Sequence, residues 1–245
     1  MEFADIHNHM LFQCDDGAEN EDVMKAMIEK QYSEGVRTIC FTPHFHPGFF
    51  GDNREASERA FEKAKEYAAA AHPDLKLYIG NELRYDKACL KWLEQGMCRT
   101  MNGTNYVLVD FLYGEPADNI MNGVLQILNY GYTPILAHAE RYEKFHSDFR
   151  EVLRLKDCGV VIQVDTQSPL GGLGRGSKKR GKLLLKHYLA DFIGSDGHNM
   201  GDRPPDVKKC YDYVVDQCGR EYAEYLFNIN PIRILNDLEV GKEQS

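Results

Sequence analysis

Histidines and carboxylates recur along the chain in closely spaced groups. Asp5-Ile6-His7-Asn8-His9 comes first and Thr42-Pro43-His44-Phe45-His46 second, followed by Gly80-Asn81-Glu82, Asp110, His138 and Ser195-Asp196-Gly197-His198. Residues two apart on an extended backbone point the same way, so His7 with His9, and Asp196 with His198, can each present two ligands to one face. Imidazole and carboxylate without thiolate select manganese, zinc or iron rather than an iron–sulfur cluster, and several carboxylates allow two or more ions to be bridged. A lone His or Asp in such a place is most often a hydrogen-bonded polar residue. The joint pattern favours a divalent-metal centre. His46, two residues beyond His44, is open between touching a substrate and covering the mouth of the site.

Two arginines stand beside these candidates: Arg141 in Ala139-Glu140-Arg141-Tyr142 and Arg203 in Gly201-Asp202-Arg203-Pro204-Pro205. A guanidinium next to a cationic metal cluster is unfavourable unless an anion lies between them, which points to a phosphate or carboxylate substrate. Asp15-Asp16-Gly17 reads as a turn, or as a carboxylate reaching the metals of the first histidine pair. His72, His146 and His187 sit in helical or loop contexts and read as surface or packing residues. Gly176-Ser177-Lys178-Lys179-Arg180-Gly181-Lys182 begins like a phosphate-cradling loop, but Leu183 replaces the hydroxyl that would hold magnesium, so it reads as a basic helix start. No G-x-S-x-G is present, and no cysteine has an arginine six positions later. A phosphatase built from this chain is therefore expected to depend on metal.

Seven apolar or β-branched runs position these residues: Phe3–Ile6, Arg37–Phe41, Lys76–Ile79, Tyr106–Val109, Thr133–Ala137, Val160–Val164 and Asp191–Ile193. Helical periodicity lies between them. Val23, Met27, Ile28 and Tyr32 mark one helix, started by Asn20 and ended by Gly35; Phe61, Ala64, Tyr67, Ala68 and Ala71 mark another, stopped at His72-Pro73. Strand and helix alternating seven times predict an α/β fold with a parallel sheet, either closed as a barrel or open and doubly wound. A single domain over residues 1–245, with residues 241–245 frayed, is the simplest organisation. In β/α barrels the active site is built at the C-terminal ends of the strands. Six of the seven runs lead into one of the candidates above.

Composition narrows the function further. Of 245 residues, 27% are charged and 43% hydrophobic, and the net charge of −9 makes nucleic acid a poor partner. No apolar stretch is long enough for a membrane span, and the start lacks the character of a signal peptide, so the expected location is cytoplasmic. Seven cysteines without a C-x-x-C argue against a disulfide framework and read mostly as small buried hydrophobes.

Taken together, these motifs resemble the polymerase and histidinol phosphatase (PHP) superfamily, with its H-x-H opening and D-x-H closing motifs. Within it the chain is most similar to the bacterial metal-dependent tyrosine-protein phosphatases of capsule and exopolysaccharide loci. The resemblance rests on the segments already quoted, on Ser168 with Leu170-Gly171, and on Asn230-Pro231-Ile232 with Ile234-Leu235 as a closing helix. It covers nearly the whole chain. It implies a distorted seven-stranded TIM-like (β/α) barrel, the PHP fold, holding two to three divalent ions. Manganese is the first expectation, with iron, zinc or magnesium as alternatives. The implied ligands are His7, His9, Asp16, His44, Glu82, Asp110, His138, Asp196 and His198, with Arg141 and Arg203 on the phosphate. Three positions depart from the family pattern: Asp110 where Glu is usual, Ala139 where Pro or Val is common, and Asn8 where Ser is common. Only the first touches a ligand, and its shorter side chain bears on how many metals are bridged.

The activity implied is hydrolysis of phosphotyrosine in protein by a metal-bound hydroxide attacking in line, with His46 as the candidate general acid. The implied partner is the phosphotyrosine-bearing tail of a bacterial tyrosine kinase, with a homo-oligomer left open. A histidinol-phosphate or other small-molecule phosphatase on the same fold is the enzymatic alternative. An inactive metal-stabilised kinase-binding module is the alternative from another class.

Overall fold

The computed structural model describes residues 2–143 and 149–241; His146 and the tail beyond Gly241 lie outside the described residues. Nine short strands are found among them: β1 (Phe3–Asp5), β2 (Val36–Phe41), β3 (His44–Phe45), β4 (Lys76–Ile79), β5 (Glu82–Arg84), β6 (Tyr106–Asp110), β7 (Thr133–Leu136), β8 (Val161–Asp165) and β9 (Phe192–Gly194). Every pairing between them is parallel. They form a three-stranded sheet, β1-β2-β4, and a six-stranded sheet, β3-β5-β6-β7-β8-β9. With helices in the crossovers, this is an α/β fold whose parallel sheets curl into a half-barrel.

The seven runs of the sequence reading appear as nine strands in two sheets because two of the runs are interrupted and resumed. The second breaks at Thr42-Pro43, where proline has no N–H to offer the ladder. The third breaks at Gly80-Asn81. Asn81 staples the two breaks together: its Nδ2 donates to the Pro43 carbonyl at 2.9 Å and its Oδ1 accepts from the Arg99 N–H at 2.8 Å. Beyond the strand ends, Asn8 and Gly197 form an isolated parallel bridge, with the His9 N–H donating to the Gly197 carbonyl and the Asp196 N–H to the His7 carbonyl, both at 2.8 Å.

Side chains alternate between two apolar environments, as the period of two requires. On β6, Val107 and Val109 join the large core beneath the helices, whereas Tyr106 and Leu108 join a smaller inner cluster with Ile6, Ile135, Val161 and Phe192. Continuing along the inner side of β6 leads to buried Asp110, and along β8 from Val161 to Gln163 and Asp165. The interior therefore changes from apolar at the strand starts to ionic at their ends. Ile234 and Leu235, from the helix Asn230–Leu235, pack into the apolar end.

The first long helix, Glu21–Glu34, begins and stops where expected, with Asn20 Oδ1 accepting from the Val23 N–H at 3.0 Å and Gly35 in the left-handed region at φ 102°. Its buried face is Met24, Met27, Ile28 and Gln31, displaced from the predicted Val23 and Tyr32. The reason is Asp5. This buried carboxylate accepts hydrogen bonds from Gln31 Nε2, Ser195 N (2.9 Å), Ser195 Oγ (2.7 Å) and Asn8 Nδ2 (3.2 Å). It joins β1, the first helix and the segment after β9. Burial pushes its carboxyl above the usual range, against the pull of these hydrogen bonds. Replacing it strands several buried donors at once. Asp5→Ala is expected to lower unfolding free energy by roughly 2–4 kcal/mol in denaturant titration; a loss below about 0.5 kcal/mol would show that the hub does not hold the two ends of the fold together.

Candidate metal centre

The ionic end of the interior gathers the residues singled out from the sequence. Three groups have ligand atoms within 4.8 Å of one another: His9, Asp16, His44 and His198; His7, His9, Glu82 and Asp196; and His44, Glu82 and Asp110. His138 joins them through Nε2, 2.8 Å from Glu82 Oε1. Glu82 is the hub. Its two oxygens face His7 Nε2 at 3.4 Å, His9 Nε2 at 3.2 Å, His44 Nδ1 at 2.9 Å and His138. Asp16, the one exposed member, bridges His44 and His198 at 3.6 Å each.

Local sequence explains how the ligands are aimed. Gly17 follows Asp16 because a Cβ there would lie 2.0 Å from the His9 carbonyl oxygen. Gly194 leaves the space that the Cβ of His7 occupies. His138 and Asp196 both adopt left-handed backbone, at φ 35° and 48°. Such a conformation costs roughly 1–3 kcal/mol in a non-glycine residue and concentrates at functional sites.

Three of the imidazoles are fixed from behind. His9 Nδ1 meets Asp15 Oδ2 at 2.7 Å, His7 Nδ1 meets Gln163 Oε1 at 3.2 Å, and His198 Nδ1 meets the Asp196 carbonyl at 2.9 Å. Each bond leaves Nε2 pointing into the cluster, the arrangement by which outer partners orient metal-binding histidines. Asp15, read as half of a turn, also accepts from the backbone N–H of His44 at 2.7 Å and of Gly17 at 2.9 Å. It therefore serves the site without facing its centre.

Buried atoms that lack hydrogen-bond partners test whether cations fit here. Among the described residues these include His7 Nε2, His9 Nε2, His44 Nδ1, Glu82 Oε2 and His198 Nε2. All belong to expected ligands and all face the cluster. Burying such atoms unsatisfied is costly, and hard or borderline divalent cations take this N/O donor set. Without metals the charges balance through protons. Burial pulls His7 down, but Glu82 and Asp196 outweigh it and carry its pKa up to about 9. Burial and the neighbouring charge of His9 push His198 down to about 4. For Glu82 the imidazoles of His7 and His44 overcome burial and hold the carboxyl well below its usual range.

The arginines lie on the open side. Arg141 and Arg203 both donate to Asp196 Oδ2, Arg203 at 2.5 Å, and Arg141 also pairs with Asp165 Oδ2 at 2.5 Å. The anion expected between guanidinium and metals is thus supplied in part by the protein's own carboxylates. Asp165 was missed by ending the sixth run at Val164; β8 includes it, so every one of the seven runs leads to a His or acidic residue. Glu140 was also missed as a buried partner. It accepts from Ser168 Oγ and from the Asp165 N–H at 3.1 Å, and burial with the nearby Asp165 charge raises its carboxyl to about 8. Arg84 lies two residues past Glu82, so the same alternation signals it. Its Nη2 is 2.8 Å from Asp110 Oδ2. Burial and the charge on Glu82 raise the Asp110 carboxyl, against the pull of His44, His138 and Arg84.

His46 stands apart. Its Nδ1 accepts from the Gly48 N–H at 3.1 Å, capping the helix Pro47–Phe50, and its ring packs edge-on against Trp92. It does not line the cavity over the cluster, so the general-acid role has no geometric support. His72 stacks on Tyr32 with ring centroids 3.7 Å apart, and His187 lies beside Phe149. The cavity itself measures about 180 Å³ and includes Arg84, Arg141, Arg203, Leu112 and Tyr113 in its lining. Two larger hollows, of about 630 and 770 Å³, are lined by other residues and contain none of the nine expected ligands. Of these three hollows, the small one alone is lined by expected ligands.

Comparison with known proteins extends the picture. The family profile for capsular polysaccharide synthesis, CpsB/CapC, matches residues 3–236. The tyrosine-protein phosphatase CpsB of Streptococcus pneumoniae is 33% identical over 238 residues, covering 95% of this chain and 98% of that protein. Among solved structures, that of YwqE from Bacillus subtilis and CpsB from Streptococcus pneumoniae, described as unique metal-dependent tyrosine phosphatases, superposes with a TM-score of 0.89. It is 24% identical and covers 98% of this chain and 97% of its own. Histidinol phosphate phosphatase of Lactococcus lactis, solved with zinc, L-histidinol and phosphate, shares the fold at a TM-score of 0.59 and 15% identity. That match covers 91% of this chain and 94% of its own.

Because Glu82 and Asp196 carry the His7 pKa up to about 9 without metal and an imidazole must give up its proton to ligate a metal through that nitrogen, binding of a divalent ion at pH 7.5 is expected to release protons. Affinity should rise as pH increases towards 9. Calorimetric titration with manganese in buffers of differing ionisation enthalpy measures this; equal heats in all buffers would show that no protonated imidazole gives way to the ion.

Proposed function

The chain belongs to the CpsB/CapC family of capsular polysaccharide synthesis, and from this membership and the geometry of its site we propose that it is a metal-dependent protein-tyrosine phosphatase. The observation that carries the reading is the set of buried, unpartnered His and Glu atoms facing a small cavity lined by three arginines. We further read residues 1–245 as one PHP domain whose nine strands make seven β/α units. The Asn8–Gly197 bridge supports closure into a distorted barrel. No described helix is long and apolar enough to cross a membrane, in keeping with a cytoplasmic enzyme. Its substrate is then a phosphotyrosine-bearing protein, the tail of a bacterial tyrosine kinase being the expected one.

His7, His9, Glu82 and Asp196 would hold one ion, Asp16, His44 and His198 a second, and Glu82, through its other oxygen, with Asp110 and His138 a third. Manganese is the first choice and two to three ions the expected number. When bound, such ions supply a nucleophile at neutral pH and neutralise phosphoryl charge. The protein's own groups do the rest. Arg203, partly exposed at the rim, and Arg141, almost fully buried, both lie beside Asp196 and offer planar N–H forks to phosphoryl oxygens. Asp165 holds Arg141 in place, so little rearrangement is needed as charge develops. A phenol has a pKa of about 10, so a tyrosyl leaving group needs less protonation than an alcohol. That fits a site in which His46 is turned away.

The ligand set argues against a purely structural metal module, since structural sites usually close with about four ligands. The cavity, below the roughly 300 Å³ typical of pockets for drug-sized ligands, takes one phosphoryl group with the rest of the substrate outside. Histidinol phosphate on the same fold is the competing substrate. The deciding experiment is phosphate release from a phosphotyrosyl peptide and from histidinol phosphate, using chelator-stripped protein with and without manganese. Manganese-dependent turnover of the peptide is expected; preference for histidinol phosphate would overturn the reading. His7→Ala and Asp196→Ala are expected to abolish turnover and lower metal content by elemental analysis. Arg203→Ala should keep its metals and lose about 10²–10³-fold in kcat/KM, the scale of removing one transition-state donor; full activity in His7→Ala would sink the site assignment.

A further inference from the structure

Eight large hydrophobic side chains are exposed among the described residues, and four of them, Phe49, Leu112, Tyr113 and Met200, lie on the segments that follow β3, β6 and β9, Phe49 in the short helix Pro47–Phe50. Leu112 and Tyr113 line the cavity itself while remaining 49% and 75% exposed. Phe49, 63% exposed, has the Arg84 guanidinium 5.8 Å from its ring centre, and Arg84 lines the same cavity. Apolar surface at the rim of a strongly charged hollow adds little to folding when, among the described residues, nothing covers it. We propose that Leu112, Tyr113 and Phe49 form a collar that binds the aromatic ring of an aryl phosphate and so sets the preference for tyrosyl over seryl esters.

The cavity orders the two halves of such a ligand. Its most buried lining includes Glu82, Asp196, Asp110 and Arg141, whereas Leu112 and Tyr113 are exposed, so the phosphoryl end goes inward and the organic end passes the rim. A phenyl ring is a rigid spacer that reaches the floor while the peptide backbone stays outside. On the way it meets the Tyr113 ring and the Leu112 side chain, and ring contacts of this kind contribute beyond simple burial. A phosphoserine arm has one methylene and no ring to contact the collar.

This inference rests on the phosphatase reading for its substrate, but it can fail separately. The test compares calorimetric dissociation constants of phenylphosphonate and methylphosphonate for the manganese-loaded protein, so that no leaving-group chemistry intervenes. Wild type is expected to favour the phenyl ligand by tenfold or more. Tyr113→Ala and Leu112→Ala, both exposed positions, should shrink that ratio about threefold to tenfold each, with methylphosphonate binding unchanged. An equal affinity of wild type for the two phosphonates, a ratio untouched by either variant, or no binding of either ligand overturns the collar. An intact ratio together with no turnover of phosphotyrosyl peptide leaves the collar standing and refutes the phosphatase reading instead.

Discussion

Glu82 is a fully buried carboxylate with four imidazoles around it. Placing that much charge away from water is among the least favourable things a fold can do unless every charge has a counterpart. Everything nearby is arranged to supply one. His9 is backed by Asp15, Arg141 is held by Asp165 and Asp196, and Arg84 pairs with Asp110. The partners are shared: Glu82 faces four imidazoles, and Asp196 takes both Arg141 and Arg203. Divalent ions fit because they replace protons that are otherwise required to keep the balance.

Parallel strands make such a unit affordable. Their N-terminal halves fill the interior with Leu108, Ile135, Val161 and Phe192, so the ionic layer rests on a dry apolar floor. The same alternation that places Leu108 inward places Asp110 inward one step later. Two glycines, Gly17 and Gly194, clear space at the places where the backbone would otherwise collide with His9 and His7. Left-handed backbone at His138 and Asp196 completes the aim. Of the seven non-glycine residues with positive φ among those described, these are the two that are expected ligands.

Much of this was legible in the sequence because ligand types at strand ends follow a simple periodic rule. His7, His9, His44, Glu82, Asp110, His138, Asp196 and His198 come together on that rule. Asp16 follows from a turn and the family resemblance, the two arginines from standing beside ligand candidates, and the helix from Glu21 to Glu34 from its own apolar period and caps. Misreadings arose where tertiary contacts override local pattern. Gln31 occupies a buried helical position because Asp5 awaits it, which no periodicity of apolar residues can reveal. Pro43 and Gly80 interrupt strands whose pairing resumes beyond them, a consequence of Asn81 stapling the breaks. Asp165 lay one residue past an apolar run and was cut off with the boundary. His46 shares the spacing of a ligand pair, yet its ring is drawn to Trp92 and to the start of the next short helix.

The isolated bridge between Asn8 and Gly197 joins the beginning of the chain to a point more than three quarters of the way along it. The His7–His9 pair stands on one side of this bridge and the Asp196–His198 pair on the other, so neither half of the cluster can form from neighbouring sequence alone. Closing so long a loop costs entropy that the cluster's own charges cannot offset. The apolar floor must therefore hold the two segments together first, and a chain that opens at this bridge loses the whole cluster at one stroke rather than one residue at a time.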